Sequence, residues 1–357
     1  MSLRSERSPP GPATALSSAD RAEHGDGGRE RRAVAKQRRR ATDTVRAAVR
    51  DGALWKTGDV VVLACSGGRD SIAGLALLAD LRLALGHQLV VGHIDHQLRN
   101  DGEAVAHLVR TAAARFGVVA HCKQVAVAAG PQLEARARTA RYAALQAIRA
   151  EVGGAVIATA HHADDQAETL LMRLSRGAGA DALRGIASQR DDDVVRPMLA
   201  LDGNALKAVA IAANLDWIDD PSNVDTSFTR NHMRHVALPA LEAGQPGAAR
   251  GIVRSMRTLA DAGSVSGFWV DRFLDSVAVT TASTLRLPRS AMPNDAAVLG
   301  PLVRSVALRL GVAVPGQRAA TELARACGQG APCSIEIAGL NVMLSDEYAL
   351  FAVRHVA

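Results

Sequence analysis

The chain has 357 residues, of which 48% are hydrophobic and 22% charged, and its formal net charge is +6. This size and apolar content suffice for real hydrophobic cores and favour roughly two domains. No apolar run approaches the roughly 20 residues of a membrane-spanning helix. The arginine-rich N-terminus lacks the apolar segment of a secretory signal. We therefore expect a cytoplasmic protein without a membrane anchor.

The four cysteines show neither a C-x-x-C pair nor the spacing of metal ligands. This pattern supports neither a disulfide framework nor a zinc site, and it predicts reduced thiols. The basic net charge leaves two interpretations open, a polyanionic partner such as nucleic acid and an ordinary solvated surface.

Residues 1–42 are rich in Ser, Pro, Gly and Arg, and they include the basic run RERRAVAKQRRR at 29–40. Because this segment has little apolar surface to bury, we predict a disordered basic tail. Two roles stay open for it, an arm that touches phosphates and a solvated extension without a role.

Between residues 43 and 243, apolar strand-like runs alternate with helix-like patterns. Predicted helices cover 71–85, 101–117 and 132–152, and apolar runs precede or follow each of them. This alternation predicts an α/β domain with a parallel sheet and helices on both faces.

Beyond residue 243 the pattern changes. The run GQPGAARG at 244–251 predicts a linker, and helical segments with a β-hairpin over 335–353 follow it. We expect a second, smaller and mostly helical domain at 244–357.

The stretch CSGGRDS, residues 65–71, joins the first apolar run to the first predicted helix. Backbone N–H groups at a helix N-terminus favour an anion. Gly67 and Gly68 let the backbone approach a ligand, and the hydroxyls of Ser66 and Ser71 can donate hydrogen bonds. The turn is therefore predicted to hold phosphate.

Asp70 lies inside this turn, where its carboxylate would repel phosphates unless a divalent cation lies between them. We therefore expect Mg²⁺ at Asp70. The turn matches neither G-x-x-x-x-G-K-S/T nor G-x-G-x-x-G, which disfavours a P-loop NTPase and a dinucleotide-binding enzyme. The competing interpretation is a glycine turn in which Ser or Asp caps the helix.

The pattern S-G-G-x-D-S after a strand resembles the PP-loop of the N-type ATP pyrophosphatases, which cleave ATP between its α and β phosphates. Further motifs follow in order, and their arrangement over about residues 58–242 is similar to that of the tRNA(Ile)-lysidine synthetase family. They are GHIDHQLRNDGEAVAHLVRTAAARFGV at 92–118, LEARARTARYAAL at 133–145, TAHHADDQAETLLMRLSRGAG at 159–179 and WIDDPSNVDTSFTRNHMRHVALPALE at 217–242.

This resemblance implies an open five-stranded parallel sheet of the adenine nucleotide alpha hydrolase type. Family members use ATP to attach free L-lysine to the wobble cytidine of an isoleucine tRNA with a CAU anticodon. The resemblance thus implies ATP, Mg²⁺, tRNA(Ile) and free L-lysine as ligands, a tRNA-binding C-terminal domain and a homodimer.

Three other functions stay open: a PP-loop enzyme that thiolates tRNA, a small amide-forming ligase, and an RNA binder that only senses ATP. The absence of C-x-x-C disfavours the cysteine-dependent thiolases. Asp70, Asp165 and Glu168 together disfavour a pure binder, because mere binding of a polyanion does not need three acids.

The resemblance also assigns roles to individual residues. Catalytic roles fall on Asp70, Arg141, Asp165 and Glu168. The nucleotide is expected at the PP-loop residues Ser66, Gly67, Gly68, Arg69, Asp70 and Ser71, and near His93, His96 and Arg136. The substrates are expected at Arg99, Arg230, Asn231 and Arg234, together with Asp165 and Glu168. Arg230 and Arg234 can bind phosphates of the anticodon loop or of ATP.

Asp165 and Glu168 share a helix face at i, i+3, where by resemblance they hold the lysine amine. One alternative is an acidic helix N-terminus that complements the helix dipole. Another is a metal site formed with His161 and His162. For the arginines the alternative is a salt-bridged surface, and for Asp95 it is helix capping.

Overall fold

The computed structural model describes residues 15–16, 27–97, 101–127, 130, 132–178, 182–219 and 229–354. The chain divides into two compact units, Met1–Met172 with Ile186–Val253, and Arg173–Gly185 with Arg254–Ala357. The predicted boundary at 243–244 thus falls inside the first unit, and the second unit also includes a short earlier segment.

In chain order, the elements up to residue 244 are β1 (Ala15–Leu16), α1 (Gly27–Asp51), β2 (Val60–Ala64), α2 (Arg69–Leu85), β3 (Gln88–Asp95), α3 (Gly102–Ala114), β4 (Val119–Gln124), α4 (Leu133–Glu151), β5 (Val156–Ala158), α5 (Ala163–Leu174), β6 (Val194–Val195), α6 (Gly203–Ala212), β7 (Trp217–Ile218), α7 (Thr229–His232) and α8 (Leu238–Gly244). A short pair, β1 with β7, is antiparallel.

The first unit is built on a five-stranded sheet in the order β4–β3–β2–β5–β6, and every neighbouring pair is parallel. Val61 and Leu63 of β2 pack into the core that also holds α1, α2 and α6. Val62 points to the opposite face, where it packs against Leu145 and Ile148 of α4. The predicted five-stranded parallel sheet with helices on both faces is confirmed.

Helix α1 reaches back to Gly27, into the segment that the sequence predicts to be disordered. For residues 27–42 that prediction differs from the structure. Ala41 is buried in the core, and the guanidinium of Arg38 binds the carboxylate of Asp80 on α2 with an N–O distance of 2.7 Å. The segment is polar overall, and only one face of the helix is apolar, so its composition does not indicate a folded helix. Residues 1–14 and 17–26 of the predicted tail lie outside the described residues.

The second unit contains an antiparallel sheet. Helix α9 (Ala248–Val277) begins in the first unit and continues into the second. The following elements of the second unit are β8 (Val279–Thr280), β9 (Thr284–Pro288), α10 (Ala296–Arg309), α11 (Gln317–Gly328), β10 (Cys333–Ile337), β11 (Leu340–Leu344) and β12 (Tyr348–Val353). The strands follow the order β10–β11–β12–β9–β8. The predicted hairpin is present as β11 and β12, within a larger sheet than the sequence indicated.

The predicted linker at 244–251 is shorter in the structure, because α8 ends at Gly244 and α9 begins at Ala248. The carboxylate of Glu242 accepts hydrogen bonds from the N–H groups of Gly247 and Ala249, at 2.7 and 2.8 Å. This cap satisfies backbone donors at the start of α9, so the glycine-rich stretch forms a tight turn between two helices.

In the described parts of the chain, no helix combines the length and apolar character that crossing a membrane requires.

The packing of α1 can be tested at Val45, whose side chain is fully buried. We expect Val45→Ala to lower the free energy of unfolding by about 1.5–3 kcal/mol, because two buried methyl groups are lost and a cavity remains. Urea unfolding measures the change. Ala47→Gln, at an exposed position of the same helix, serves as the control. Equal stability of Val45→Ala and wild type would show that α1 does not pack on the sheet unit.

Candidate active site

The turn between β2 and α2 depends on one glycine for its shape. Gly67 has a φ of 84°, and a Cβ atom there would lie 2.6 Å from Cγ1 of Val105. A side chain is therefore excluded both by the left-handed backbone and by the α3 side chain. Gly68 has an ordinary φ of −75° and precedes α2 as its N-cap. Its lack of a side chain leaves the backbone open to a ligand.

Two serines hold this turn together. The hydroxyl of Ser71 donates to the carbonyl of Gly68 at 2.8 Å and accepts from the N–H of Ser66 at 3.2 Å. The two hydroxyl oxygens lie 3.3 Å apart. No side chain caps the N-terminus of α2 in this described region. The turn is thus preshaped, and its helix N-terminus favours an anion.

A cavity opens beside the turn and has both polar and apolar lining residues. Its polar lining includes Ser66, Asp70, Ser71 and Asp165, which the sequence analysis named as site residues. Its other lining residues include Ala64, Gly92, Ile94 and Leu145, which carry no polar side chain. An apolar wall next to convergent polar groups suits a ligand with a flat base and phosphates.

Helix α4 contributes the cationic part of the lining. Arg141 was predicted at the site, whereas Arg138 and Tyr142 were not. The guanidinium of Arg138 stacks on the Tyr142 ring at 5.0 Å. Residues 138, 142 and 145 recur at helical spacing, and this one-sided pattern was the signal that could have identified them.

Asp70 contacts two basic side chains. Its Oδ1 accepts from Nε of Arg69 at 2.8 Å, and its Oδ2 lies 3.4 Å from Nε2 of His162. Burial alone would raise the pKa of Asp70, but the hydrogen bond and charge of His162, followed by the charge of Arg69, lower it to about 2. Arg69 therefore contacts the acid beside it.

The adjacent histidines 161 and 162 have opposite pKa shifts. Burial would lower the pKa of His162, but the surrounding carboxylates, Asp70 first and then Asp165, raise it. Burial lowers the pKa of His161 to about 4, and nearby arginines add to this effect. The hydroxyl of Thr159 lies 2.7 Å from Nδ1 of His161. His161 is therefore the neutral imidazole of the pair, and the surroundings of His162 favour its protonated form.

Asp165 and Glu168 are each bound by two arginines. Nε of Arg230 donates to Glu168 at 2.7 Å, and Nη2 of the same side chain donates to Asp165 at 2.6 Å. Nε of Arg234 donates to the other oxygen of Glu168 at 2.5 Å, and Nη2 lies 3.3 Å from Asp165. Glu168 has no solvent exposure. The two acids were predicted to hold the lysine amine and the two arginines to bind phosphate. In the structure these acids and arginines are paired with one another.

The capping interpretation of this acidic segment also holds in part. The second oxygen of Asp165 accepts from the backbone N–H of His162 at 2.9 Å, at the start of α5. Asp164 accepts from the N–H of Gly203 at 3.1 Å, which ties it to α6. Among the described residues no group of three or more His, Cys, Asp or Glu side chains is arranged to hold a metal ion. The alternative of a histidine–carboxylate metal site is therefore not supported.

Several predicted residues lie outside the cavity lining. His93 faces the other side of β3, where its Nδ1 lies 2.8 Å from the carbonyl oxygen of Cys65, because neighbouring strand residues alternate in direction. His96 accepts from Nε of Arg141 at 3.0 Å and so contacts the lining indirectly. Arg136 on α4 and Asn231 on α7 are half-buried and do not line the cavity. Arg99 lies outside the described residues.

The sequence of this chain matches a known family model. The model of the PP-loop domain family covers residues 37–241. A tRNA(Ile)-lysidine synthase of Ralstonia nicotianae is 37% identical over 297 residues, which are 79% of this chain and 62% of the relative. One of Geobacter sulfurreducens is 40% identical over 226 residues, which are 61% and 47% of the two chains. One of Thermus thermophilus is 42% identical over 202 residues, which are 55% and 38%. The chain thus spans less than two thirds of each relative.

Among solved structures, a U34-tRNA thiolase of Methanococcus maripaludis has a TM-score of 0.52 to this chain. The superposition covers 62% of this chain and 78% of that chain, at 18% identity. At this level of identity the likeness shows a shared fold alone.

The low pKa of Asp70 predicts an acid-dependent loss of stability. Unfolded aspartates titrate at about 3.9, whereas Asp70 in the fold titrates at about 2. The ionised group therefore stabilises the fold above about pH 4, and this contribution is lost as the pH falls from about 4 towards 2. We expect Asp70→Asn to lose less stability than wild type across that window, measured by urea unfolding at each pH.

His162→Asn provides the matching test, because it removes the main partner that lowers the pKa of Asp70. We expect the carboxyl ¹³C resonance of Asp70 to titrate at a higher pH in this variant. Identical titration of Asp70 in both proteins, or identical acid slopes for Asp70→Asn and wild type, would contradict the assigned interaction.

Proposed function

Because the chain belongs to the PP-loop domain family, we propose that it uses ATP to join free L-lysine to C2 of the wobble cytidine in an isoleucine tRNA with a CAU anticodon. Its relatives from Ralstonia, Geobacter and Thermus, which carry the name tRNA(Ile)-lysidine synthase, support this proposal. We place the reaction in the cytoplasm. The homodimer and the tRNA-binding role of residues 244–357 stay predictions.

One observation carries the proposal: the phosphate-binding turn and the acidic end of α5 line the same cavity. Ser66 and Ser71 bring polar groups from one motif, and Asp165 brings a carboxylate from another. A ligase that activates one substrate with ATP and then binds an amine needs both kinds of group at one place.

In the first step, the C2 oxygen of cytidine attacks the α-phosphate of ATP. A bond forms between that oxygen and phosphorus, and pyrophosphate leaves. The turn at 65–68 and the N-terminus of α2 hold phosphate oxygens through backbone N–H groups. Arg138 and Arg141, on the cavity wall, offset the charge that develops on the phosphates.

Magnesium fits this site through a single protein ligand. Mg²⁺ is commonly held by one or two carboxylates together with substrate phosphates and waters. The Asp70 carboxylate lines the cavity beside the turn and would be that ligand. Arg69 and His162, which now contact Asp70, would share its charge with the ion. When bound, the ion neutralises charge on the leaving pyrophosphate.

In the second step, the ε-amine of lysine attacks C2 of the adenylated cytidine. A carbon–nitrogen bond forms, the bond from C2 to the adenylate oxygen breaks, and AMP leaves. Asp165 and Glu168 hold the incoming ammonium group and orient it. The ammonium must lose a proton before the amine attacks, and that proton leaves to solvent or to the phosphate oxygens of the departing AMP. The pKa of His161, lowered to about 4, makes this imidazole too weak a base for the transfer.

The burial and raised thiol pKa of the cavity cysteine argue against thiolation as the reaction. Cys65 is the one cysteine among the cavity-lining residues, and burial raises the pKa of its thiol. A nucleophilic cysteine instead needs a lowered pKa. The proposed ligation requires no thiol.

The function can be tested directly with the full chain. We expect incubation with ATP, Mg²⁺, L-lysine and an unmodified isoleucine tRNA to produce lysidine, detected by mass spectrometry of the nucleosides. Pyrophosphate release should require the tRNA, and a tRNA with uridine at the wobble position should give neither product. Asp70→Asn should lose pyrophosphate release, because the proposed Mg²⁺ site loses its only charged protein ligand. An unmodified tRNA after full ATP turnover would contradict the proposal.

Glu168→Gln separates the two steps. Loss of a charge-assisted contact to ammonium costs about 1.5–3 kcal/mol, so we expect the apparent KM for lysine to rise roughly ten-fold or more. Adenylation should largely survive, and adenylated tRNA should accumulate when lysine is scarce. The measurement follows intermediate and lysidine separately across a lysine titration.

The control for that titration is Glu151→Gln, which removes an exposed acid paired with Lys123. It should leave both steps unchanged. An unshifted lysine curve for Glu168→Gln would remove the lysine site from α5. Loss of the first step in a variant that circular dichroism shows to be folded would assign Glu168 to the nucleotide.

A further inference from the structure

The carboxylates proposed to receive lysine already have cationic partners. Both oxygens of Glu168 accept from arginine, one from Arg230 at 2.7 Å and one from Arg234 at 2.5 Å. One oxygen of Asp165 accepts from the same two guanidiniums, and its other oxygen accepts from a backbone N–H. Glu168 is fully buried. An ammonium group therefore reaches Glu168 only if an arginine leaves.

Charge balance leads to the same conclusion. The two carboxylates and two guanidiniums balance one another, and His162, 3.8 Å from the second oxygen of Asp165, can only add positive charge. An added ammonium would therefore leave an unbalanced positive charge in a largely buried place. Such a charge is costly unless another cation departs or an anion arrives. Phosphate is the anion that the proposed reaction brings to this cavity.

The two arginines are placed so that they can leave. Arg230 and Arg234 keep 36% and 33% of their side chains exposed, whereas Glu168 has none. Arg230 lies on α7, and Arg234 lies four residues later on the π-helical turn Met233–Ala237. Their partner Asp165 lines the nucleotide cavity. A guanidinium that leaves this acid therefore has a phosphate-bearing ligand near it, and it binds phosphate in the same bidentate manner.

We propose that Arg230 and Arg234 occupy, in the free enzyme, the place that the ε-ammonium of lysine takes during the reaction, and that phosphate draws them off Asp165 and Glu168. Lysine then binds well only after a phosphate-bearing substrate. This inference rests on the proposed function, because it takes lysine as the cation that these acids receive. It adds an order of binding that keeps the amine away until the activated substrate is present.

Two sources can supply the phosphate, the nucleotide and the tRNA backbone. Lysine binding to the full chain is measured by equilibrium dialysis with radiolabelled L-lysine in four arms. The arms are protein alone, protein with α,β-methylene ATP and Mg²⁺, protein with unmodified tRNA(Ile), and protein with both. We expect lysine affinity to rise at least about ten-fold in an arm that supplies the responsible phosphate, a coupling within the usual range.

Arg234→Gln tests the arginine itself. We expect this variant to bind lysine about ten-fold more tightly than wild type in the protein-alone arm, and to gain less from added phosphate. Arg230→Gln is the second variant, and circular dichroism checks that each is folded. Arg38→Gln is the matched control, since Arg38 is similarly exposed and pairs with Asp80 on α2. It should bind lysine as wild type does in every arm.

A further measurement needs no variant. Coupling between two ligands is reciprocal, so lysine must tighten binding of the effective phosphate ligand by the same factor. Equal lysine affinity of wild type in all four arms would overturn the inference, as would folded arginine variants that bind lysine no more tightly. If lysidine is still formed, the proposed function stands. If no arm binds lysine and no lysidine forms, the proposed function itself fails.

Discussion

A carboxylate removed from water must be neutralised, and Glu168 imposes this requirement on the first unit. Its side chain is fully buried, and its partners Arg230 and Arg234 lie 62 and 66 residues further along the chain. Leaving such a charge unpaired costs several kcal/mol, roughly 3–5 when one partner is removed. These ion pairs therefore hold α7 against α5 in this structure, since neither arginine-bearing turn has a buried residue of its own.

The sheet order explains why distant motifs meet at one cavity. Strands β2 and β5 are parallel neighbours, with Val61 opposite Val156. The segments that follow them leave from the same edge of the sheet, so the phosphate turn after β2 lies next to the histidines after β5. The contact of Asp70 with His162 joins these two segments directly. A pairing of strands buried in the core thus determines which side chains can act together.

Features with a local cause were predictable from the sequence. The apolar run of β2, the need for glycine at Gly67 and the helix at 71–85 each depend on neighbouring residues, and the parallel sheet follows from their alternation. What depends on distant residues was not predictable. From the sequence pattern, Arg230 was predicted to bind phosphate. Its contact with Glu168 could not be foreseen, because that buried acid belongs to another motif 62 residues away. His93 was predicted near the nucleotide; it does not line the cavity beside the turn, whereas its strand neighbours Gly92 and Ile94 do.

The pairing of each acid with an internal cation has a chemical consequence for the whole site. Asp70 contacts Arg69, and Asp165 contacts Arg230, so the acids nearest the cavity have cationic partners before any ligand binds. A polyanion entering such a site meets guanidiniums as well as carboxylates, and an entering cation meets carboxylates that can exchange partners. Ions of both signs can therefore bind while the total charge stays near balance. A site of fixed, unpaired acids would instead repel any phosphate-bearing ligand.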